Sequence, residues 1–168
     1  MYICGRDNRF RPVVVVNVQK IVQLDLSIDA LTNLIIYTAE HIIHNVFVPG
    51  KIENWVLVVD LANIGIFALP LSKLKQLLSI LGNNYRAKMF RFYVVNAPWS
   101  VSVLYTFLAT LDKKTQKKVL LSKDSHMPEM FKHISRAQLE AKYGGTRGDI
   151  VEYWPFKDDS DDVEGGGG

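Results

Sequence analysis

The chain has 168 residues, 48% of them hydrophobic and 22% charged, with one cysteine, Cys4, and a formal net charge of +3. So many aliphatic and aromatic residues exclude a chain disordered throughout, and a lone cysteine excludes a disulfide scaffold and a cysteine-based zinc site. Residues 157–168 hold one lysine against five acids, so the rest of the chain carries +7, a balance that favours anionic partners such as a lipid surface or nucleic acid.

Read from the start, Met1-Tyr2-Ile3-Cys4 runs into Gly5-Arg6-Asp7, where a secretory leader would stay apolar. A soluble, cytoplasmic protein is expected. Residues 12–18, with Pro12 followed by four valines, predict a first strand. Ser27 is an N-cap for a helix carrying Ile28, Leu31, Leu34, Ile35, Ile42 and Val46. Residues 55–60 (WVLVVD) form a nearly continuous apolar run, the pattern of a strand covered on both faces. The hydrophobic stretch 55–71 is not a membrane span, because Asp60, Asn63, Gly65 and Pro70 interrupt it. A helix follows Pro70, with Leu71, Leu74, Leu77, Leu78 and Leu81 on one stripe.

Residues 92–96 predict a third strand, stopped by Ala97-Pro98. Residues 99–111 read as a helix that is apolar on almost every side, and 119–122 as a shorter fourth strand. One or two short helices are expected over 129–142, stopped by Gly144-Gly145. Strands alternating with helices predict an α/β fold with a mainly parallel sheet under helical cover. The domain is expected to span residues 1–154, with residues 155–168 an acidic, glycine-ending disordered tail.

Few residues suggest catalysis. Asp124-Ser125-His126 has the letters of a hydrolase triad, but adjacent residues seldom align nucleophile, base and orienter, and there is no G-x-S-x-G elbow. His41 and His44 lack companion ligands at metal-binding spacing, and the glycine-rich loop 144–148 lacks the phosphate-loop pattern. No enzyme activity, metal or cofactor is therefore expected. The cluster Lys113-Lys114-Thr115-Gln116-Lys117-Lys118 has two readings, a solvated helix end or a phosphate site with Thr115 as hydrogen-bond partner. The apolar helix 99–111 also has two: it is wholly buried, or it covers something apolar that is not protein.

The segment YRAKMFRFYVVNAP (residues 85–98) resembles the central signature of CRAL-TRIO domains, whose best-known members transfer phosphatidylinositol and phosphatidylcholine. LDKKTQKKV (111–119) and QLEAKYGGT (138–146) continue the resemblance, as do Asp60-Leu61 and, earlier, Arg11-Pro12-Val13. The series runs in order over about residues 7 to 150. It implies a sheet forming the floor of a lipid pocket and a mobile gate helix over the mouth, here Trp99, Val103, Leu104 and Leu108. It implies ligand contacts at Thr115 and Lys118 for a headgroup phosphate, at Trp55 and Leu57 on the floor, and at Tyr105 and Phe107. Five positions depart: Ala87 replaces a glutamate, Trp55 and Leu57 replace hydroxyl residues, Phe10 replaces a glycine and Glu140 a proline. The last two are expected to be tolerated local changes. The helical region that usually precedes the first strand in this family has no counterpart in these 168 residues.

The expected function is non-enzymatic binding and intermembrane transfer or presentation of a hydrophobic ligand, foremost a phospholipid such as a phosphoinositide. Lys113, Lys114 and Lys117 would touch an anionic membrane transiently. The alternative is a regulatory module that binds a protein partner through the same fold. Nucleic acid is not expected as a partner, since the basic residues are not interleaved with stacking aromatics.

Overall fold

β-branched and aromatic residues dominate the strands, and their registers set the architecture. The computed structural model describes residues 1–65, 71–85, 87–98, 105–106, 108–109 and 112–153. Five strands form one sheet in chain order: β1 (Tyr2–Arg6), β2 (Pro12–Asn17), β3 (Trp55–Asp60), β4 (Met89–Val95) and β5 (Val119–Leu121). β1 is antiparallel to β2; the other neighbours are parallel. Because the order never reverses, crossovers of one hand put their helices on one face. These are α1 (Val18–Gln23), α2 (Ile28–His41) and α3 (Leu71–Asn84), with the one-turn helix α4 (Lys113–Gln116) before β5.

The two sheet faces build separate cores. On the helical face, Val14, Leu57 and Phe92 form one row and Val16, Val59 and Val94 the next, under Ala39, Ile42 and Val46. On the opposite face, Val13, Val15, Val56, Val58 and Tyr93 pack against Met127, Met130, Ile134, Leu139 and Tyr143. A shift in register places Phe90 as an extra residue between the pairs Trp55–Met89 and Val56–Arg91. This bulge turns the Phe90 ring to the second core.

Several elements differ from the sequence expectation. β1 was not anticipated. Val18 starts α1 instead of ending a strand, because the Asn17 side chain accepts the Lys20 amide and caps a helix there. The second helix leaves α geometry at Ile42 and closes with a π turn, Ile42–Val46. In place of one or two helices, residues 129–142 hold three 3-10 turns, at Met130–Lys132, Arg136–Gln138 and Ala141–Tyr143. Met130 and Tyr143 from the first and last turns, with Ile134 and Leu139 from the links beside the middle one, fill the second core, a path that a continuous helix could not follow. Gly144 has φ 83°, the left-handed stop expected of it. A Cβ on Gly145 would lie 1.9 Å from the Leu139 carbonyl oxygen, so only glycine fits there. No helix among the described residues is long and apolar enough to cross a membrane.

Candidate functional site: a two-part cavity above the sheet

The cavity follows the sheet rows. A first part of about 90 Å³ lies over the N-terminal ends of the parallel strands, against Val14, Trp55, Leu57 and Met89 and beneath Ala39 and Ile42 of the α2 arm. A second part, also about 90 Å³, lies over their C-terminal halves, against Val59, Phe92, Val94 and Leu121 and beneath Leu74 and Leu77 of α3. Ile35, Leu57 and Leu81 line both, so the parts adjoin. Every described residue lining the second part is apolar. Ordered water needs two to four polar partners, and the described side chains of this part offer none.

Among the described residues, polar side chains gather only at the first part. Thr38, Tyr85, Asp112 and Thr115 line it. Thr38 donates to the Leu34 carbonyl at 2.9 Å within its own helix. Tyr85 donates to Glu40 Oε1 at 2.5 Å; burial and then that carboxylate push its hydroxyl up to about 12. Asp112 caps α4, accepting the Lys114 and Thr115 amides at 3.0 Å each and the Thr115 hydroxyl at 2.5 Å. The donors a phosphate would use are thus turned to an internal carboxylate. Lys118 donates from Nζ to the Met89 carbonyl at 2.6 Å. The two parts together make an apolar hollow with hydrogen-bonding side chains at one end.

The structure brings Trp55, Leu57 and Thr115 together around the first part of the cavity and Leu108 to the second. Lys118 stands beside the polar end through its Met89 contact and lines neither part. Tyr105 is 59% exposed and also lines neither. Lys113, Lys114 and Lys117 are exposed on and just after α4. Trp99, Val103, Leu104 and Phe107 lie outside the described residues, as does the tail 155–168. Asp112, Thr38 and Tyr85 were not singled out from the sequence, although an aspartate just before a helical segment is a legible N-cap.

Glu140 proves to be more than a tolerated change. Its side chain is fully buried beneath the second core, where it accepts the Tyr2 hydroxyl at 2.7 Å, Lys142 Nζ at 2.7 Å and the Ile150 amide at 2.8 Å. Nearby, Asp60 Oδ2 accepts the Tyr143 hydroxyl at 2.8 Å while Oδ1 accepts the Ala62 amide and Asn96 Nδ2, each at 2.8 Å. These bonds tie β1 and the end of β3 to the C-terminal turns, leaving the other sheet face free to line a cavity.

A mainly parallel sheet, helices on one face and an amphipathic hollow between them define an α/β domain with a cavity above its sheet. The CRAL/TRIO domain family model matches residues 1–145, and the chain belongs to that family. It is 32% identical to the Sec14 cytosolic factor of Schizosaccharomyces pombe over 100 residues, which cover 58% of this chain and 35% of the relative. It is 30% identical to Patellin-6 of Arabidopsis thaliana over 101 residues, 59% of this chain and 24% of the relative. The chain thus spans about a third or less of the length of these relatives. The crystal structure of Sfh5 superposes with a TM-score of 0.68 at 16% identity, covering 91% of this chain and 57% of that one, and shows the same fold.

Proposed function

We propose that the domain binds one amphiphile, foremost a phospholipid such as a phosphoinositide, and exchanges it between membranes without covalent chemistry. The observation that carries this reading is the cavity's polarity: hydrogen-bonding groups at Thr38, Tyr85, Asp112 and Thr115, apolar lining beyond. Each buried methylene contributes roughly 0.8 kcal/mol, so an acyl chain in the second part binds through its length. At the polar end, a headgroup phosphate would take the Thr115 hydroxyl from Asp112 and Lys118 Nζ from the Met89 carbonyl. Trp55 and Leu57 have no hydroxyl to offer, which disfavours phosphatidylcholine. The exposed Lys113, Lys114 and Lys117 would face an anionic membrane during exchange.

The test is native mass spectrometry of purified protein incubated with a phospholipid panel, followed by transfer between labelled vesicles. A one-to-one lipid complex and transfer with phosphatidylinositol above phosphatidylcholine are expected. No lipid uptake across the panel, with a stable protein complex in its place, would overturn this in favour of a protein-binding module.

A further inference from the structure

The turn joining β1 to β2 is built in an unusual way. The buried Asp7 carboxylate holds it, accepting the Arg9 and Arg11 amides at 2.9 Å each, while the Asn8 amide donates to the His133 carbonyl at 2.7 Å. On this fixed base Phe10 has φ 61°, the left-handed region that favours glycine, and its residue is 67% exposed. The backbone is strained at this point and the large side chain is turned to solvent. Neither core holds the ring, so packing does not explain it.

The surroundings are basic. Arg9 and Lys132 are exposed, Arg91 is half-buried, and among the described residues no carboxylate pairs with any of the three. Arg11 is already neutralised by Asp7 at 2.6 Å. Burial first, then Arg91 and Arg11, hold His133 below its ordinary value, with Asp7 opposing them. An exposed aromatic ring next to Arg9 in the chain, on a turn bonded to His133 and so to the segment that carries Lys132, matches a surface that is apolar beneath and anionic at its face.

We infer that the Arg9-Phe10 turn, with Arg91 and Lys132, is a docking wedge for an anionic bilayer, Phe10 entering the acyl boundary while the cations meet headgroup phosphates. It adds a second contact to the membrane-exchange reading, on which it rests for its partner. It does not depend on what the cavity holds.

The test compares the protein with Phe10→Gly and Arg9→Ala in co-sedimentation with phosphatidylcholine vesicles containing or lacking phosphatidylserine. Glycine suits the left-handed backbone, so Phe10→Gly is expected to keep or raise the thermal midpoint. It should weaken anionic-vesicle binding about tenfold, and Arg9→Ala about fivefold. Lipid uptake into the cavity, read by mass spectrometry, is expected unchanged in both. Unchanged vesicle binding by Phe10→Gly, or a lowered midpoint that assigns Phe10 a structural role, overturns the wedge. Phe10-dependent capture of a protein with no vesicle affinity overturns it too. Protein that binds vesicles through Phe10 but takes up no lipid would overturn the exchange reading and leave the wedge standing.

Discussion

At the scale of single residues, the pair Asp7–Arg11 shows how one charge depends on another. The Asp7 carboxylate is buried, and Arg11 reaches it with Nε at 2.7 Å while its guanidinium carbon lies 3.2 Å from the centre of the Phe90 ring. Removing the arginine leaves a buried carboxylate with only amide partners. Arg11→Met is expected to lower stability by about 3–5 kcal/mol, measured by urea denaturation, and adding Asp7→Asn should restore part of it. A loss below about 1 kcal/mol would mean that solvent reaches Asp7. Cys4 gives a pH reading of the same strand pair. Burial, then the Glu140 carboxylate, push its thiol from 9.0 to about 12. The fold therefore favours the neutral thiol: that contribution is fully present below pH 9.0 and is lost as pH rises toward about 12. At pH 9 native Cys4 should resist iodoacetamide and react only in denaturant. Rapid native alkylation would show β1 detached from the sheet.

At the scale of elements, the helical face of the sheet was legible because continuous apolar runs leave little alternative: residues 55–60 match β3 end to end. β1 escaped notice since Cys4, Gly5 and Arg6 break any alternation, and its strand character comes from pairing with β2. The Tyr2–Glu140 bond joins residues 138 apart in sequence, and no local pattern announces it. Trp55 and Leu57 came from the family resemblance, and Thr115 from the lysine cluster as well as from it; the Asp112–Thr115 contact is a local N-cap three residues long, and what no local pattern announces is that it lies at the polar end of the cavity. Leu81 tests how the elements form the site. It sits on α3, half-buried, at the waist shared by both cavity parts. Leu81→Trp should fill that waist with little change in stability, because added volume enters a void and not a packed core. Lipid uptake should fall at least tenfold by mass-spectrometric titration. Undiminished uptake with an intact fold would place the ligand elsewhere.

For the whole molecule, the parallel strands give the domain a polarity that charge and cavity share. The turns before β2, β4 and β5 all lie at one edge of the sheet, and with them Arg9, Lys88, Lys117 and Lys118. The hydrogen-bonding end of the cavity, at Trp55, Met89 and Thr115, lies at that edge as well. A domain resting on an anionic bilayer by this edge would present its polar end to the headgroups and its apolar end away from them. β2 and β5 are three strand spacings apart, about 14 Å, beyond the Debye length of about 8 Å at physiological ionic strength. The Arg9 turn and the Lys113, Lys114, Lys117 group should therefore act as independent attachments. Replacing the three lysines with alanine is expected to weaken binding to phosphatidylserine-containing vesicles by about 3 kcal/mol, roughly a hundredfold. Combined with Arg9→Ala, the losses should add within about 0.5 kcal/mol. Both should shrink as salt is raised, in co-sedimentation at increasing ionic strength. A triple variant that binds as tightly as the parent, or a loss insensitive to salt, would exclude this edge as the face turned to the membrane.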